Sequence, residues 1–197
     1  MSIRKLTSCL NGIKTVGYRF AILTNHFYPL SKALEAMQTF EYNHTMINKL
    51  DNPNKEVANQ IFEVFQNSYK VEAKLIGTLN FPPLSRSAKD IESSKTLFYG
   101  FIENGFIAAV IEITLKGKHL EIDSLTVDPS YFRKGIANKL LSYVLGSFEY
   151  TKAIVETAVA NEPAIKLYKK HGFVEFKRWT PSHGIEKLAL FKPNRSS

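Results

Sequence analysis

A chain of 197 residues with 44% hydrophobic and 22% charged side chains is long enough for one packed core and too apolar to remain unfolded. Its formal net charge of +8 favours anionic partners, without choosing among nucleic acid, acidic membranes and phosphorylated cofactors. A single cysteine, Cys9, excludes an intramolecular disulfide and a cysteine-based metal cluster, and five histidines without paired ligand spacing make a metal site unexpected.

No apolar run approaches the roughly 20 residues needed to cross a bilayer. The first 34 residues lack the apolar block of a signal peptide, so a cytoplasmic chain is expected. Residues 1–44, with five basic residues before the first acid, Glu35, read as an N-terminal extension, with a helix over 31–40 carrying Leu34 and Met37 on one side. A transit peptide is the competing reading of the same composition. Met46 opens a first strand and the main domain, 45–192, leaving 193–197 as a tail.

The apolar positions Val57, Ile61, Phe62, Val64, Phe65 and Tyr69 recur at helical spacing, which predicts a long amphipathic helix over 55–75 with Asn52-Pro53-Asn54 as its turn and cap. Asn80-Phe81-Pro82-Pro83-Leu84 ends it, as a pocket-lining loop or as simple packing, and 87–93 form a short second helix. Strands follow over 96–102 and 106–115, joined by Glu103-Asn104-Gly105, whose Asn-Gly pair tolerates positive φ. Gly117-Lys118-His119 leads into a third antiparallel strand, 120–127, stopped by Asp128-Pro129.

A basic, glycine-containing turn, Arg133-Lys134-Gly135-Ile136-Ala137, comes next, and the apolar period then changes to that of a helix through Ile136, Leu140, Leu141, Val144 and Leu145. The first turn of a helix carries unpartnered N–H groups and a partial positive charge, so this turn is either an anion site or an ordinary connection. The helix crosses to a strand over 153–159 that should run parallel to its predecessor. Asn161-Glu162-Pro163 starts another helix, which Lys169-Lys170-His171-Gly172 ends. Two last strands, 173–179 and 185–191, flank Pro181-Ser182-His183-Gly184. The expected fold class is α/β (α+β): a mixed, mostly antiparallel central sheet flanked by helices, with one parallel crossover.

The spans VDPSYFRKGIANKLL and NEPAIKLYKKHGF resemble the two signature motifs of the GNAT superfamily, the acetyl-CoA-dependent N-acetyltransferases, and the likeness covers roughly residues 46–192. It implies acetyl-CoA as co-substrate and an amine as acceptor, either a small molecule or a lysine or N-terminus of a peptide or protein. The backbone amides of Arg133, Lys134, Gly135, Ile136, Ala137 and Asn138 would hold the pyrophosphate, although Phe132 stands where the family places a polar residue. Leu125 and Val127 would offer main-chain groups to the pantetheine arm, and an N–H of that strand would meet the reaction's oxyanion. Asn161 matches a cofactor-contacting asparagine and reads equally well as a helix cap.

By the same resemblance Glu121 stands where some members keep a glutamate base, with Asp123 as the alternative base on the same strand face, and a solvated carboxylate is the plainer reading of either. A base is useful because a lysine-like amine titrates near 10.4. Tyr168 takes the place of the family's acid toward the departing thiolate, or is a core aromatic. Direct attack in a ternary complex is expected, since nothing links Cys9 to the motifs. The rivals are a non-catalytic acyl-CoA sensor or interaction domain, and a nucleic-acid module, for which no binding motif appears. Neither nucleic acid nor membrane is expected as a partner, and a homodimer is left open.

Overall fold

The structure, a computed structural model, describes residues 46–194. The extension 1–44, its expected helix and Cys9 lie outside the described residues.

Strand β1 (Met46–Lys49) leads into α1 (Lys55–Leu75), whose Asn54 cap accepts the amides of Glu56 (2.9 Å) and Val57 (3.2 Å). A 3-10 turn at Pro82–Ser85 follows, then α2 (Ala88–Ser93), closed by a reciprocal Ser87–Asp90 capping box. Three antiparallel strands come next: β2 (Leu97–Glu103), β3 (Phe106–Lys116) and β4 (His119–Val127). Asn104 and Gly105 both take positive φ (54° and 81°), the two-residue turn whose twist suits a hairpin. Helix α3 (Ile136–Ser147) carries the chain to β5 (Lys152–Ala158), which pairs parallel with β4, as its crossover length implies. Helix α4 (Glu162–Lys170), β6 (Val174–Trp179) and β7 (Lys187–Pro193) complete the described part.

The seven strands form one sheet in the order β1-β2-β3-β4-β5-β7-β6. Strand β7 sits inside β6 because its run Leu188-Ala189-Leu190 is wholly buried, while β6 leaves Val174 and Phe176 half exposed at the edge. The last strand begins at Lys187 rather than at 185. Gly184 N–H bonds back to Pro181 O (2.9 Å) and Ile185 N–H to His183 Nδ1 (3.3 Å), which keeps 181–185 in a turn.

Helix α3 packs Leu140, Leu141 and Val144 onto one face of the sheet, against Ile111, Leu120, Ile122 and Leu190. Helices α1 and α2 bury Ile61, Phe65 and Ile91 on the other face, against Phe98 and Val110. A β-bulge lies between these faces on β4: Glu112 pairs with Ser124 and Ile113 with Ile122, so Asp123 is the extra residue. The bulge resets the alternation. Leu120, Ile122, Leu125 and Val127 all join the α3 core, while Asp123, Ser124 and Thr126 are left to the α1 side.

On that α1 side Arg86 grips the buried Glu112 through two hydrogen bonds (Nη1–Oε2 2.5 Å, Nη2–Oε1 2.9 Å), and Thr96 Oγ1 donates a third at 2.6 Å. The guanidinium also lies 5.6 and 5.7 Å from the Phe65 and Phe98 ring centres. This pin fastens the segment after Pro82 and Pro83 to the sheet. Glu112→Ala would leave the guanidinium and the Thr96 hydroxyl without their acceptor. A loss of about 3 kcal/mol in urea unfolding is expected, at the low end for a broken buried pair because Arg86 keeps 27% of its side chain exposed.

Candidate active site

Strands β4 and β5 pair over only four residues, from His119↔Lys152 to Ile122↔Val155, and then part. Asp128 N–H donates to Ala108 O (2.9 Å), so alternation turns the peptide groups of Thr126 and Ser124 toward β3 and those of Leu125 and Val127 away from it. Those two peptides therefore face the gap, where β5 no longer offers partners. Both residues are among the sequence-derived candidates.

The connection after β4 is built to expose amides. Asp128 caps a 3-10 turn at Pro129–Tyr131, and Phe132, 42% exposed, closes it with a bond to Pro129 O. Arg133 (φ 63°) and Gly135 (φ 74°) are both left-handed, and Gly135 caps α3 without any side chain to bond the first turn. Among the described residues the amides of Arg133, Lys134, Gly135, Ile136, Ala137 and Asn138 have no acceptor, and the first turn of α3 carries no acid. An anion is what such a helix start accommodates. Phe132 contributes no polar side chain there, while Lys134 is drawn aside to Glu103 (2.8 Å). The Asn138 side chain meets His171 Nε2 at 3.1 Å, tying the start of α3 to the end of α4.

At the parting of the strands opens a cavity of about 290 Å³. Its walls come from α1 (Tyr69, Glu72), the aromatic-proline loop (Phe81, Pro82, Pro83), β4 (Asp123), α4 (Asn161, Tyr168) and the last hairpin (His183, Lys187). The loop that the sequence left as pocket lining or packing thus lines the cavity, and Gln66 Nε2 holds it by Leu84 O at 3.1 Å. Asn161 does two things: Oδ1 caps Ala164 N–H (3.2 Å), and Nδ2 donates to Glu72 Oε1 (2.8 Å).

Tyr168 is 5% exposed, its ring edge-on to Phe173 at 5.7 Å. Its hydroxyl has no hydrogen-bond partner among the described residues, yet no side-chain oxygen there is both sealed from solvent and unpartnered, so this hydroxyl opens on the cavity. Burial, reinforced by the Glu72 and Tyr69 groups, pushes its pKa well above the phenol range. Tyr69 shares a 2.5 Å bond with Ser124, and burial pushes it up to about 12.

The two carboxylates expected on β4 lie apart in use. Asp123 lines the cavity, accepts Thr114 Oγ1 at 2.6 Å, and is raised chiefly by desolvation. Glu121 lies outside that cavity, in an adjoining groove of about 450 Å³, with Lys116 Nζ at 2.7 Å. Glu72 was not singled out in the sequence. It continues the stripe of Ile61, Phe65 and Tyr69, and a carboxylate on an apolar stripe is the signal that marks it. Desolvation raises its pKa as well, the Asn161 bond opposing the shift.

The sequence profile of the acetyltransferase (GNAT) family matches residues 56–173. The UPF0157 protein YqkA of Bacillus subtilis is 34% identical over 141 residues, covering 71% of this chain, and this chain spans 41% of that relative's length. The ribosomal-protein-S18-alanine N-acetyltransferase of Escherichia coli superposes with a TM-score of 0.62 at 20% identity, over 78% of this chain and 96% of that one. The PaiA N-acetyltransferase of Thermoplasma acidophilum, solved with coenzyme A, gives 0.60 at 18% identity over 77% and 99%. These structures share the fold. Parted strands, a glycine-started helix with free amides and a profile match across 56–173 make this chain a member of the acetyltransferase (GNAT) family.

Proposed function

We propose that the domain over 45–192 transfers an acetyl group from acetyl-CoA to a primary amine by direct attack in a ternary complex. The carrying observation is the parting of β4 from β5 beyond Ile122 and Val155, with free backbone amides on one side and a cavity of carboxylates and phenols on the other. The residues present fit acetyl-CoA: six amides at a helix start that have no acceptor among the described residues suit its diphosphate, and the gap-facing peptides of Leu125 and Val127 suit an amide-bearing arm. Acetyl-CoA supplies an acyl group activated as a thioester.

What this chain adds is position and proton handling. The Arg133–Asn138 amides anchor, the Leu125 and Val127 peptides align, and an N–H of that strand faces developing negative charge on oxygen. A carboxylate, with Asp123 on the cavity wall and Glu121 in the adjoining groove as the β4 candidates, relieves the acceptor of a proton. Tyr168, neutral at physiological pH, donates toward the leaving sulfur. A phenol raised by burial is a weaker donor than in water, but the same desolvation raises a thiol's affinity for its proton, so the match survives. The single cysteine suits a cytoplasmic setting.

A thiol-release assay with acetyl-CoA against small amines, polyamines, lysine peptides and peptide N-termini tests the reading. Release that depends on one amine class is expected. Tight acetyl-CoA binding with no release for any class would favour the acyl-CoA sensor instead.

A further inference from the structure

Glu72 is a half-buried carboxylate on the wall of the catalytic cavity, and among the described residues no cation lies within 4.0 Å of it. One oxygen, Oε1, is fixed by Asn161 Nδ2 at 2.8 Å. The other has no partner there and, because no sealed side-chain oxygen lacks one, it opens on the cavity. The rings of Tyr69, Phe81 and Tyr168 line the same cavity, with Phe81 edge-on to Tyr69 at 5.8 Å. A carboxylate oxygen that opens on a cavity lined by aromatic rings is a receptor for an alkylammonium group. Asp123 differs: its Oδ2 takes the Thr114 hydroxyl and the residue is exposed on the bulge. Glu121 has its own lysine.

We infer that Glu72, positioned by Asn161, receives the acceptor as an ammonium ion and takes its proton. The inference rests on the acetyltransferase reading and names the group that reading leaves open. Glu72 accepts one proton from the ammonium and passes it to solvent. The freed lone pair forms the C–N bond to the acetyl carbon while the C–S bond breaks, its electrons leaving on sulfur. Tyr168 gives that sulfur a proton and regains one from the second N–H through solvent. One ammonium and one thioester thus become one amide, one thiol and one proton. The acceptor class is a primary alkylamine, charged when it binds.

The titratable groups that line the cavity with Glu72 are the Tyr69 phenol of α1, Asp123 of β4, Glu156 of β5, Tyr168 of α4, and His183 and Lys187 of the last hairpin. Lys187 is engaged by Glu156 at 2.8 Å. Since the active form is the carboxylate, rate should fall as pH drops through its raised pKa.

The probe is n-butylamine. Glu72→Gln keeps an Oε1 for Asn161, so the fold and acetyl-CoA affinity by calorimetry should hold. kcat/KM for the amine should drop about a hundredfold and the acidic limb of its pH profile should vanish. Asn161→Asp keeps the cap to Ala164 but sets a second carboxylate against Glu72, and should move that limb up by about one pH unit. Independently of turnover, the ¹³C carboxyl resonance of Glu72 should titrate at lower pH once n-butylammonium is added. An acidic limb kept by Glu72→Gln with less than about a threefold loss, an unmoved limb in Asn161→Asp, or a resonance indifferent to n-butylammonium would each overturn the inference. Absence of acetyl-CoA binding by the wild-type chain would instead overturn the acetyltransferase reading.

Discussion

Gly135→Glu is expected to abolish acetyl-CoA binding in calorimetry while leaving the chain folded. A Cβ at Gly135 meets nothing within 4 Å, so bulk alone does not damage the protein. The residue is left-handed (φ 74°), which costs a side chain about 1–2 kcal/mol and should lower Tm by several degrees. The decisive effect is electrostatic. A carboxylate about 5 Å from a diphosphate, at an effective dielectric constant of about 40, repels each charge by about 1.7 kcal/mol, so two charges cost about 3 kcal/mol, or more than a hundredfold in affinity. The side chain also competes for the amides that α3 leaves free. Gly135→Ala separates the causes: it carries the same backbone penalty without the charge, and should retain binding within about tenfold. Equal loss in both variants would assign the effect to backbone strain.

Tyr168→Phe is expected to lower kcat by about 10²- to 10³-fold, with acetyl-CoA affinity and unfolding free energy nearly unchanged. The hydroxyl makes no hydrogen bond to a described residue, so removing it orphans none of them, and the phenylalanine ring keeps its contact with Phe173. Stability should stay within about 1 kcal/mol in urea unfolding. The pKa, raised above the phenol range by burial first and by Glu72 and Tyr69 next, also makes a prediction about pH. The wild-type rate should show no loss from Tyr168 ionisation below about pH 10. An unchanged kcat on a confirmed acceptor, or an alkaline limb that disappears in the variant near pH 8, would remove Tyr168 from the acid role.

Chemistry that lives within one element was legible in the sequence. The left-handed residues of the hairpin at Asn104-Gly105, the caps Asn54 and Asn161, the glycine-started helix α3 and the parallel return of β5 all follow from short-range spacing, because turns and helix ends are decided by neighbouring residues. The likeness of two motifs to the GNAT family brought Leu125, Val127, Asn161 and Tyr168 together, and all four lie along the parted strands or the cavity beside them.

Glu72 shows the other side. Its place on the stripe of α1 could be counted, but a stripe says only which way a side chain points, and it took the approach of Asn161 from 89 residues away to give that carboxylate a partner. Glu121 and Asp123 are two apart on one strand, and spacing treats them alike. The bulge at Asp123 and the lysine beside Glu121 distinguish them: Asp123 lines both the cavity and the groove, and Glu121 the groove alone.

Local sequence therefore determined the elements, most of their ends and the exposed amides at Gly135, since those depend on backbone preferences within a few residues. Only the tertiary structure decided that β4 and β5 part after four pairs, that β7 inserts inside β6, and which carboxylate meets the phenols. Strand pairing and desolvation are set by residues distant in the chain, and no local pattern encodes how far two strands stay together.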